Sequence, residues 1–354
     1  MSDEPNAPAG PERDDDAGSS VLTTFRQPHF AAFWSSNILQ SLCFNVLGVT
    51  MQWLLTSLTD SRGILGFMGF AQGGTVALVS PVGGVVADRF PKRALLIACR
   101  LLLTALVAVI GTLVYLEKIE IWHLVVAAVF GGGVSALMSP AAQTIVFDLV
   151  GQRRIQSAVA LNATGSGFAQ AAGPALGGVL IASVGIAGSY AFAAGGSLVA
   201  VALLARLPPL AAARRTDRPS MGSELAEGFR YVWARPPLRL ALVACAMAIF
   251  NGALFPMRAI FARHVLNVSS TGFGGMAAAA GLGTVLTAMA MAWLPPLRRH
   301  GIAITASMLG YALCLVAYSF AFSYEYILAV EFMTGVTGQL WNVWTLAGIQ
   351  LAVS

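Results

Sequence analysis

The amino-acid sequence predicts an all-α membrane protein with about ten transmembrane helices, six plus four, and an amphipathic cytoplasmic helix between the two groups. Three observations predict it. Hydrophobic residues make up 57% of the 354-residue chain and charged residues only 10%, where ordinary globular domains carry roughly 25%. Apolar runs of about 20 residues recur along the chain, the length at which a helix crosses a hydrocarbon core with its backbone groups bonded internally. Basic residues fall between those runs on alternate turns, so that one side of the membrane collects nearly all of them.

The spans follow in order. The first covers Phe30 to Leu58, the second Ile64 to Ala87, the third Ala94 to Leu116 and the fourth Ile121 to Val150. The fifth and sixth cover Ser157 to Val184 and Ala187 to Leu207. The seventh runs from Leu238 to Ala262, the eighth from Thr271 to Leu294, the ninth from Ile302 to Phe322 and the tenth from Tyr324 to Val353. Placing the N-terminus inside leaves only Arg62, Lys118, Arg258 and Arg263 of the 21 basic residues on the outer side. Positive charge concentrates on cytoplasmic loops, so both termini are expected in the cytoplasm.

Residues 1–25 are expected to form a disordered cytoplasmic tail: they hold six acids, Arg13 and several Pro, Ala and Gly, with neither the basic start nor the apolar centre of a signal peptide. Residues 26–207 form the six-helix bundle and residues 238–354 the four-helix portion. Between them, residues 208–237 open with Pro208 and Pro209. They continue into a segment where Leu225, Phe229, Val232 and Trp233 recur at helical spacing opposite Glu224, Glu227 and Arg230. Such a helix is expected to lie on the membrane surface.

Several function classes are excluded. The net charge of +5 is divided among short clusters between apolar runs and forms no nucleic-acid face. Cys43, Cys99, Cys245 and Cys314 each sit inside an apolar run with no CxxC pair, so neither a metal site, a disulfide framework nor a cofactor is indicated. No GxSxG, HExxH, Walker loop or pair of intramembrane acids points to an enzyme.

Two motifs carry a family resemblance. Between the second and third spans stands Gly84-Val85-Val86-Ala87-Asp88-Arg89-Phe90-Pro91-Lys92-Arg93, an acid at a helix end followed by three cations. In the fifth span stands Gly173-Pro174-Ala175-Leu176-Gly177-Gly178, small residues that allow close helix approach around a proline bend. The first resembles the G-x-x-x-D-R-x-G-R-R loop of the major facilitator superfamily, with Pro91 where that pattern carries Gly. The second resembles its G-P-x-x-G-G exporter motif, with Ala169 at the usual first Gly. The run Arg153-Arg154-Ile155-Gln156-Ser157-Ala158 to Asn162, and the stretch Glu227 to Val232, resemble the branch that holds enterobactin-type siderophore exporters and macrolide-efflux proteins.

The resemblance implies two bundles rocking about a central cavity, with Asp88, Arg89, Lys92 and Arg93 latching one conformation. A weak internal echo supports a two-fold repeat: Phe130 aligns with Phe332 and Gly133 with Gly335. On that alignment the family's last two helices are not expected within the chain. A chain lacking them would need self-association or a partner chain to replace them.

Polar residues inside apolar spans are costly and mark candidate sites. The resemblance places the first, fourth, seventh and tenth spans around the cavity. Asn45 and Gln52 share a face of the first span, Asn251 and Arg258 a face of the seventh, and Glu331 and Asn342 a face of the tenth, with Gln339 nearby. Arg258 and Glu331 lie at comparable depths in the outer half. They are expected to form an ion pair there, serving as a substrate contact or as an outer gate; the alternative is that both reach the interface by snorkelling.

The function expected is secondary active export of small amphipathic molecules, drug or siderophore in class, by alternating access in a bacterial plasma membrane. Nineteen Arg against two Lys fit a genome rich in G and C. A truncated, transport-incompetent remnant of such a transporter is the competing reading. The expected partners are the lipid bilayer and a small-molecule substrate, with no nucleic acid.

Overall fold

The computed structural model describes residues 28–150, 155–208, 221–234, 257–293, 300–320 and 322–353, and every regular element among them is helical. The helices are α1 (Pro28–Leu58), α2 (Arg62–Arg89), α3 (Lys92–Tyr115), α4 (Ile121–Val150), α5 (Ile155–Ala205), α6 (Met221–Ala234), α7 (Met257–Ile260, continuing as a π-turn Phe261–Val265), α8 (Ser270–Trp293), α9 (His300–Tyr318) and α10 (Tyr324–Val353). Seven apolar stretches among the described residues are long enough to cross a bilayer, and the one within α5 runs for 49 residues, about twice the length one crossing needs. The N-terminal tail and most of the expected seventh span lie outside the described residues.

The double length of α5 has a backbone cause. Gly185 breaks it at φ 76°, ψ 179°, a combination open essentially to glycine alone. The chain reverses there, at the break expected between the fifth and sixth spans. On the first arm, the indole of Trp34 in α1 donates to the Leu161 carbonyl at 2.9 Å. On the returning arm, the Ser36 hydroxyl donates to the Ala200 carbonyl at 2.5 Å. α1 therefore packs between both arms of a helical hairpin.

Pro91 explains the sharp turn between α2 and α3. A residue preceding proline is pushed to extended backbone, and Phe90 adopts φ −107°, ψ 152°, ending α2 at Arg89. Pro91 then serves as the N-cap of α3, with its carbonyl accepting from Leu95 N–H at 3.0 Å. Proline in place of the family's glycine thus leaves the turn intact.

Apolar clusters hold the first half at both ends. At the basic end, near Arg89 to Arg93, Phe30, Phe33, Leu96, Ile145 and Leu204 join α1, α3, α4 and α5. At the opposite end, Leu54, Leu65, Ile110, Leu124 and Tyr190 do the same for α1 through α5. Outward-facing Leu78, Leu102, Val109, Leu309 and Leu313 are exposed, as side chains bathed in lipid would be. Gly83 lets α2 lie against the Ala136 carbonyl of α4, and Gly283 lets α8 lie against the Phe332 carbonyl of α10.

A Gly185→Ala variant tests the hairpin directly, because nothing stands within 4 Å of the added methyl and only the backbone conformation is strained. A loss of about 1–3 kcal/mol is expected, measured by thermal unfolding of the detergent-solubilised protein.

Candidate functional site

The deepest charges of the second half meet at one point. Glu331 of α10 is fully buried, and its Oε1 lies 3.2 Å from Nε of Arg258, which stands in α7 and is 19% exposed. The Tyr318 hydroxyl of α9 donates to the same carboxylate oxygen. Thr334, one helical turn along α10, donates to Oε2 at 3.2 Å and to the Glu331 carbonyl at 2.7 Å. Three helices therefore converge on one carboxylate, and the two charges face each other instead of snorkelling apart. Tyr318 is held in place by the ring of Phe261, edge-on at 5.5 Å.

The other candidates take different places. Asn45 faces α5: a Cβ on Gly173 would stand 2.5 Å from the Asn45 Cβ, and the Asn45 amide donates to the Ser41 carbonyl at 2.8 Å. Gln52 is buried and donates to the Gly48 carbonyl at 3.1 Å, which leaves its Oε1 without a hydrogen-bond partner among the described residues. Gln339 is half-buried and Asn342 exposed on α10. Asn251 lies outside the described residues. Two polar atoms on α10, the Trp341 indole nitrogen near the predicted stripe and the Thr345 hydroxyl, are buried without partners among the described residues.

The basic turn is fastened to its own half. Lys92 pairs with Asp148 at the end of α4 at 2.7 Å, and Arg93 donates to the Ala205 carbonyl at the end of α5 at 2.7 Å. The side chain of Asp88 lies outside the described residues.

A second buried cation escaped the sequence reading. The charge asymmetry places Arg100 among the cations of the cytoplasmic side, yet it is 1% exposed within α3. It donates to the Ser36 hydroxyl at 2.5 Å and to Asn37 Oδ1 at 3.2 Å. Asn37 reaches Asn162 of α5 at 3.1 Å, and Thr104, Ser197 and Gln40 continue the chain of hydrogen bonds. The available signal was its position, eight residues beyond Lys92 and so about 12 Å into an apolar helix.

The glycine motif sits where α5 lies close against two other helices. Gly173 and Gly177 receive α1 at Asn45 and Val46, while Gly178 faces α8 of the other half. A Cβ on Gly178 would stand 2.7 Å from the Ser270 carbonyl and 3.0 Å from the Gly274 Cα. Further along the same seam, a Cβ on Gly281 would stand 2.7 Å from the Ala171 Cα. The motif is therefore the joint along which the two halves touch.

This joint, the basic turn and the hairpin-built bundle define a membrane transporter of the major facilitator superfamily. Within it, the chain belongs to the transmembrane secretion effector family, which it matches over residues 19–354. It is 27% identical over 300 residues to the enterobactin exporter EntS of Shigella flexneri, covering 82% of this chain and 68% of that one. The EntS of Escherichia coli strain SMS-3-5 is similar at 26% over 301 residues, covering 82% and 69%.

Solved structures share the fold. The nucleoside transporter NupG superposes with a TM-score of 0.67 at 12% identity, over 89% of this chain and 80% of that one. A bacterial homologue of the human lysosomal transporter Spinster, inward-facing and unoccupied, gives 0.60 at 17%, over 97% and 79%. The family is one of transporters and not an enzyme class.

A Gly178→Val variant is expected to force α5 from α8 and to destabilise the protein by about 1–3 kcal/mol. Gly195→Ala, at a position with nothing within 4 Å, is expected to be neutral in the same thermal-unfolding assay.

Proposed function

We propose that the protein is a secondary exporter of small amphipathic molecules, working by alternating access in a bacterial inner membrane with both termini cytoplasmic. The observation that carries this reading is the Arg258–Glu331 pair. A charge pair deep in a membrane bundle costs several kcal/mol per ion in desolvation, and such residues mark substrate or ion pathways. The export of enterobactin by similar proteins supports the direction of transport. Concentration of basic residues on one set of turns supports the topology.

In this reading residues 26–207 and 238–354 rock against each other along the α5–α8 glycine joint, and residues 208–237, with α6, form a surface-lying link. Arg258 and Glu331 form a substrate contact or gate on the outer side. Gln52 Oε1, the Trp341 indole and the Thr345 hydroxyl offer buried polar atoms to a mostly apolar cargo, as ligand sites do. Asn45, Gln339, Asn342 and Asn251 line or support that cavity. The Asp88, Arg89, Lys92 and Arg93 turn acts as the conformational latch on the cytoplasmic side.

Export is tested by comparing accumulation of siderophores, macrolides and dyes in cells with and without the gene. At least one cargo is expected to accumulate less in cells that carry it. Glu331→Gln is expected to lower that efflux about tenfold or more with the protein still present in the membrane. An unchanged profile across all three classes would refute the exporter reading.

A further inference from the structure

We propose that Arg263 is the outer latch: its guanidinium caps the Thr56 carbonyl at the C-terminal end of α1 and so holds the two halves together at the end opposite the basic turn. The carbonyls of a helix's last turn have no intrahelical partner, while those just before it in α1, of Trp53 and Leu54, accept side-chain hydroxyls as well. The Trp53 carbonyl accepts from the Thr56 hydroxyl at 2.9 Å, and the Leu54 carbonyl from the Ser57 hydroxyl at 2.6 Å. The Leu55 carbonyl accepts from the Thr59 N–H at 3.1 Å. The Thr56 carbonyl accepts from outside its own half: Arg263 Nη1 donates to it at 2.7 Å, across 207 positions of sequence. A cation here also faces the negative end of the α1 dipole.

The π-turn at the end of α7 aims this side chain. Leu266 N–H bonds to the Phe261 carbonyl and Val268 N–H to the Ala262 carbonyl, both at 2.9 Å. This widened turn presents Arg263 and His264 consecutively to the same corner of the first half. His264 Nε2 lies 3.2 Å from Oδ1 of Asp60, just beyond α1, but both side chains are well exposed and the pair adds little.

Behind Arg263 the seam is closed. Ala259 and Ala262 are fully buried in one cluster with Val49, Ile181 and Phe273, and Trp53 stacks on Phe273 at 5.9 Å. Separation of the halves at this end must withdraw Arg263 from the Thr56 carbonyl. The bond therefore exists only in the closed arrangement and biases the equilibrium toward it.

This inference rests on the alternating-access reading, and its test does not require knowing the cargo. In the full chain, with Cys43, Cys99, Cys245 and Cys314 replaced by Ser and Val49→Cys introduced into the closed seam, intact cells are treated with a membrane-impermeant maleimide. Arg263→Ala is expected to raise the labelling rate about tenfold, the loss of one charge-assisted hydrogen bond. Arg263→Gln, which keeps an amide donor without the charge, is expected to fall between, and it decides the matter if the alanine variant does not accumulate. Equal labelling of parent and variants, whether fast or absent, would overturn the latch. A failed cargo assay with intact labelling differences would instead overturn the exporter reading and leave the latch standing.

Discussion

The second half is organised by one requirement: a carboxylate taken out of water must be matched. Glu331 has no exposed surface, and Arg258, Tyr318 and Thr334 supply its counter-charge and hydrogen bonds. Meeting that requirement draws α7, α9 and α10 to one point and fixes the rotation of α10 about its axis. Hydrophobic contact alone does not do this in a bilayer, where lipid tails are as apolar as leucine. The apolar cluster of Ala259, Phe273, Met276, Ile327 and Val330 then packs around an arrangement that polar contacts have set.

The first half meets the same requirement differently. Arg100 is matched by hydroxyl and amide oxygens of α1, with Ser197 and Asn162 of α5 joining the network. One half is therefore a self-contained bundle braced by Arg100, the other a bundle braced by an ion pair. Between them run glycines that allow backbone-to-backbone contact along α5 and α8. A narrow joint of this kind is what the proposed rocking motion needs. Arg263 places its bond at the far end of that joint, where the proposed opening would change distances most.

Much of this was legible in the chain. The bilayer forces each span to declare itself as an apolar run, so boundaries such as Ile121 to Val150 and the break at Gly185 agree with the sequence reading. The pairing of Arg258 with Glu331 was legible from matched depth, since two opposite charges in lipid have few other solutions. Their hydroxyl partners were not, because Tyr318 and Thr334 look like ordinary interfacial or helix-bonded residues until α9 and α10 are packed. The shared face of Asn45 and Gln52 was legible from their spacing, whereas the approach of Asn45 to Gly173 was not, because it depends on how α5 folds back. Arg100 was missed because counting cations by side ignores how far along a helix each one stands. The Arg263 cap joins residues 207 apart, and no local pattern announces it.

The central claim is that Arg258 and Glu331 persist in the membrane because each requires the other, and that transport is why the pair is kept. A double-mutant cycle with Arg258→Met and Glu331→Gln, read as thermal stability in detergent and as efflux in cells, tests it most directly. Each single variant strands a buried charge or its dipoles and is expected to lose about 3–5 kcal/mol. The double variant is expected to recover most of that stability while transporting no better than the singles. Additive losses of stability, or efflux restored in the double variant, would contradict the account.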